Sequence, residues 1–94
     1  MNIFAKIAEK IIEEQENIIG PIAIEQANKV QGLKIDWPKR EVSLIGNATQ
    51  VLQNLVDQYK QLFGQASVEV CKEAAAQLLS DLPIDQQPKS LKTT

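Results

Sequence analysis

The chain has 94 residues, 44% of them hydrophobic and 23% charged, enough for one compact core and too few for two. Ten Lys and Arg against twelve Asp and Glu give a net charge of −2, which provides no bulk attraction to phosphates or anionic lipid. There is no His and a single Cys, so His-based acid/base catalysis, His or Cys₄ metal cages and an intramolecular disulfide are all excluded.

Charged residues recur from Lys6 to Glu16 and interrupt any apolar run at the start of the chain, so no secretion signal is expected there. No stretch approaches the roughly 18 to 20 apolar residues of a bilayer-spanning helix. With its lone Cys71 the chain suits a reducing compartment, and cytoplasm is the expected location.

From Asn2 to Ile19 the apolar residues fall at 3, 4, 7, 8, 11, 12, 18 and 19, the spacing of a helix with one buried stripe. Gly20-Pro21 reads as a tight corner, because Gly accepts positive φ after a helix and Pro suits the first turn of the next. A second, shorter helix is expected from Pro21 to Gln31, with Ile22, Ala23, Ala27 and Val30 on one face and Gly32 as its stop. Residues 33–46 allow two readings. Leu33, Ile35 and Trp37 alternate with Lys34 and Asp36, and Val42 with Leu44, which spells a hairpin turning at Pro38-Lys39-Arg40; alternatively Asp36 caps a short extra helix with Val42 and Ile45 inward.

Asn47-Ala48-Thr49-Gln50 has the form of a helix cap, and the stripe at 48, 51, 52, 55, 56, 59, 62 and 63 predicts a third helix stopping at Gly64. Val68, Cys71, Ala74, Ala75, Leu78, Leu79 and Leu82 repeat with helical spacing and predict a fourth, ended by Pro83. The expected architecture is mostly all-α: a small bundle of about four helices over residues 1–83, then a disordered polar tail over 84–94. No internal repeat is evident, since the first and third helices share only a stripe that any two bundle helices would share.

No catalytic, cofactor-binding or metal site is expected. Cys71 lacks a base to form thiolate, and Lys72 points about 100° away from it on a helix. Glu9, Glu13, Glu14 and Glu16 alternate with Lys on an outer face, as a solvated surface does. The four glycines are scattered corners without a phosphate-cradling loop. An enzyme would need Asp36 and Glu41 to converge with Lys39 or Tyr59. Lys39 and Arg40 beside Trp37 have the texture of a nucleic-acid surface, but residues 21–46 carry four positive and three negative charges. A helix-turn-helix about Gly64 would offer Glu69 and Glu73 where a reading helix offers Arg, Lys, Asn or Gln.

A binding module remains. The first helix carries Ile3, Phe4, Ile7, Ile11 and Ile18, more aliphatic mass than one face of a small bundle requires, and these are the expected contacts with a protein partner or a second copy in a homodimer. Trp37 is an anchor for a partner or a lid over one end of the bundle. A DNA-associated regulator, dimerised through the first helix, is the alternative function; a small-molecule substrate is not expected.

Gly20-Pro21-Ile22-Ala23 between two amphipathic helices resembles a small helical module found at the ends of bacterial signalling proteins such as Ser/Thr kinases and cyclases, and in small free-standing cyanobacterial proteins. Tyr59, Leu62, Phe63 and Gly64 are a second point of similarity. The resemblance implies an accessory, interaction or regulatory role with no catalytic residues of its own. The chain departs from that pattern in standing without a kinase, cyclase or receiver domain.

Overall fold

The structure, a computed structural model, describes residues 2–92. It runs α1 (Ile3–Ile19), α2 (Ile22–Ala27), β1 (Leu33–Asp36), β2 (Glu41–Leu44), α3 (Ala48–Phe63) and α4 (Gln65–Leu79), with a 3₁₀ turn at Ile84–Gln86. The fold is a mostly-α bundle of four helices with one two-stranded antiparallel sheet.

Both long seam helices begin at an Asn whose side chain replaces a missing backbone acceptor. Asn2 Oδ1 accepts from the amides of Phe4 and Ala5, and Asn47 Oδ1 from that of Gln50. Each ends at a glycine whose amide donates to a carbonyl of the last turn at 2.8 Å, Gly20 to Glu16 and Gly64 to Lys60. α1 lies at the centre, touched by α4, α2, β2 and α3, and its seam of Ile7, Ala8, Ile11, Ile12 and Gln15 is closed to solvent. The matching seam of α3 is Val51, Leu52, Leu55, Val56 and Tyr59.

The second helix is shorter than its apolar spacing predicts. It stops at Ala27, and the amides of Lys29 and Val30 bond to carbonyls three residues back, which tightens the chain into turns. Gly32 then lies at φ +86, where a Cβ would stand 2.8 Å from the Ile45 carbonyl oxygen and 2.9 Å from Val51 Cγ2. The turn brings the base of the hairpin against α3, and the Ile45 amide donates to the Gly32 carbonyl at 2.7 Å.

Residues 33–46 form the hairpin rather than the extra helix. Leu33 pairs with Leu44 and Ile35 with Val42, so these four share the face turned to the core while Lys34, Asp36, Glu41 and Ser43 are exposed. Pro38 sits in the turn closed by the Arg40 amide on the Trp37 carbonyl.

The expected disordered tail is corrected over its described part, 84–92; Thr93 and Thr94 lie outside the described residues. Leu91 is fully buried and Pro88 nearly so. Gln53 clamps Ser90 twice, Nε2 donating to its hydroxyl and Oε1 accepting from its amide. Thr49 donates to the Gln86 carbonyl, and Gln87 Nε2 to those of Leu79 and Leu82. The segment is a strap across the start of α3 and the end of α4, held because its polar residues meet polar partners around one buried leucine.

Candidate functional site

The two glycine corners meet at one end of the bundle. Gln15 Nε2 in α1 donates to the Ser67 carbonyl at the start of α4 (3.1 Å), and Tyr59 OH in α3 donates to the Ala23 carbonyl in α2 (2.7 Å). These two bonds tie each seam helix to the corner of the other. They also form the last closed layer: one turn further on, Ile18 is 62% exposed and Leu62 48%. Ile22 and Phe63, beside the same corners, are exposed as well. Both apolar stripes therefore run a turn past the cover the bundle provides, and four large apolar side chains stand at this end.

The hairpin tip adds a polar edge. Glu16 Oε1 accepts from Trp37 Nε1 at 3.1 Å and from Arg40 Nη1 at 3.0 Å, and the Arg40 guanidinium lies 4.6 Å from the centre of the Trp37 ring. Arg40 holds φ +57, a left-handed conformation that costs a side-chain-bearing residue about 1 kcal/mol and aims its guanidinium at Glu16.

Of the residues expected to meet a partner, Ile18 is on the surface. Ile7 and Ile11 are corrected: both are fully buried, because α1 is packed on by four other elements and its stripe is consumed inside the chain. Ile3 and Phe4 are half-buried against the same core at the opposite end of α1. Trp37 is half-buried, packed on the core and hydrogen-bonded to Glu16, the posture of a lid. Ile22, Leu62 and Phe63 are exposed and lie outside the expected contacts; Leu62 is on the same stripe as Tyr59, and the signal that marks it is a large apolar residue one turn beyond a polar seam position.

Cys71 is buried, and desolvation pushes its thiol up to about 11, opposed by a hydrogen bond from Gln15 Nε2. Burial also raises the Tyr59 phenol well above its ordinary value, with the nearby Cys71 adding to the shift. Both groups are held neutral and donate or accept within the core. Asp36 and Glu41 face each other across the hairpin and are exposed. Among the described residues no three of His, Cys, Asp and Glu are grouped to hold a metal ion, and no helix is long and apolar enough to cross a membrane. Arg40 is engaged by Glu16 and Lys72 lies 3.7 Å from Glu69, so one basic group of each supposed nucleic-acid surface has an acidic partner.

No protein-family model, no curated protein and no solved structure matches the chain.

Proposed function

We propose that this chain is a non-catalytic, self-associating helical module that works in the cytoplasm, in bacterial signalling or regulation, and that its contact surface is the corner end of the bundle. The observation that carries this reading is the exposure of Ile18, Ile22, Leu62 and Phe63 together at that end. Fully covering a large apolar side chain contributes about 1.5 to 3 kcal/mol; each of these four, already partly covered, contributes a part of that, and together they supply the apolar centre of a protein contact. A second copy is the favoured partner because Ile18 and Leu62 stand at equivalent places one turn past the two seams, and such a matched pair suits an isologous contact. The resemblance carried by Gly20-Pro21-Ile22-Ala23 supports the accessory role and the bacterial setting.

Light scattering across a concentration series of the full chain tests the proposal, beside Ile18→Glu and Leu62→Glu. The mass is expected to rise to that of a dimer, and both variants are expected to stay monomeric with unchanged helical circular dichroism. A wild-type chain that stays monomeric throughout refutes self-association.

A further inference from the structure

Gly20 and Gly64 are 44 positions apart, and that one offset maps the first half of the bundle onto the second. It carries every buried position of α1 onto a buried position of α3: Ile7 onto Val51, Ala8 onto Leu52, Ile11 onto Leu55, Ile12 onto Val56 and Gln15 onto Tyr59. It also carries Ala23 onto Ser67 and Ala27 onto Cys71, all four buried.

The backbone repeats with it. The two glycines share φ 76, with ψ −157 and −164. Gly20 bonds to Glu16 and Gly64 to Lys60; Ala23 bonds back to Gly20 and Ser67 back to Gly64.

The side-chain bonds between the halves are reciprocal under the same offset. Gln15 donates to the carbonyl of Ser67, the counterpart of Ala23; Tyr59, the counterpart of Gln15, donates to the carbonyl of Ala23. Two bodies that each offer the other the same donor from the same place and the same acceptor from the same place are related by a twofold rotation. α1 and α3 both end at the corner end, so this rotation axis runs along the bundle and emerges between Ile18 and Leu62.

We infer that residues 3–27 and 47–71 are two copies of one helix–corner–helix unit, and that the two units recognise each other within the chain through a pseudo-twofold interface centred on Gln15 and Tyr59. Residues 28–46, with the hairpin, are the connection between the copies. The inference stands independently of what binds the corner end.

Exchanging the two central side chains tests it. In the full chain, Gln15→Tyr alone crowds one site and Tyr59→Gln alone leaves the other underfilled, and each is expected to lower the melting temperature. The double exchange keeps one phenol and one amide on the axis, each facing the equivalent carbonyl, and is expected to recover at least half of the summed loss. Because the chain has a single Tyr, absorbance titration then reports the new site directly: the phenol introduced at position 15 is expected to resist ionisation as the native one does. Losses that add, a double variant that does not fold, or a phenol at position 15 that titrates in the ordinary range each overturn the inference. A folded double variant remains decisive even where both single variants fail to fold.

Discussion

After Gly64 the chain makes a helix of 15 residues; after Gly20, whose backbone is turned the same way, it makes one of six. The corner fixes how the chain re-enters the bundle, and the side chains that follow decide how far it goes. Along α4, Val68, Cys71, Ala74, Ala75 and Leu79 keep reaching the core at helical spacing. Along α2 that supply ends with Ala27, and Val30 reaches inward from a tightened turn. The core that more helix would have closed is closed by Leu33 and Val42 of the hairpin. One half is a plain pair of helices; the other is a truncated pair completed by strands.

The comparison breaks most visibly at the seams. Ile11→Ala and Leu55→Ala each remove a fully buried aliphatic side chain at equivalent positions, and each is expected to cost about 2 to 5 kcal/mol in urea unfolding. A cost below about 1 kcal/mol at either site would show that the two seams are not matched.

The corners come next. Their φ and ψ lie in a region open essentially to Gly alone, while a Cβ at either position would meet nothing within 4 Å. Gly20→Ala and Gly64→Ala are therefore expected to cost about 1 to 3 kcal/mol each from backbone strain alone. Closely similar shifts in thermal unfolding would sharpen the match, and a large difference would break it.

Alkali should also distinguish the halves. Tyr59 and Cys71 belong to the second unit, and their counterparts Gln15 and Ala27 cannot ionise. The Cys71 thiol moves from 9.0 to about 11 on folding, so the unfolded chain loses its proton first as pH rises. The stabilisation is complete below pH 9 and is lost between 9 and about 11, where the melting temperature should fall. Cys71→Ala should flatten the early part of that decline and leave the later part, due to the Tyr59 phenol. An unchanged pH profile in that variant would mean that the thiol is not shielded as its burial requires.

The helices were legible because their apolar residues recur with the period of a helix and because Asn47, Gly20 and Gly64 mark their ends chemically. The limits of the seam were not: Ile7, Ile11 and Ile18 lie on one stripe and differ only in whether another element covers them. The choice between hairpin and helix at 33–46 depended on contacts far along the chain, such as Arg40 reaching Glu16. Leu91 is a single apolar residue among polar ones, so no periodicity announces the strap; Thr49 and Gln53, which receive its end, lie on the outer face of a helix. The duplication was hidden because Gly20/Gly64 and Glu25/Glu69 are the only identities across the two segments. What persists between the copies is burial and backbone shape, with Ile standing for Leu or Val at three seam positions and size changing at others, as in Ala8 and Leu52.

The strap bears on the order in which the protein can form. Synthesis runs from the N-terminus, and among the described residues Leu91 is the last in chain order to be buried in the core. Without it the first turns of α3 keep an open groove, so a chain truncated before Pro88 would present a nearly finished bundle with one wet flank. Final closure is thus a late event, made by a short segment tying itself to residues translated 37 positions earlier.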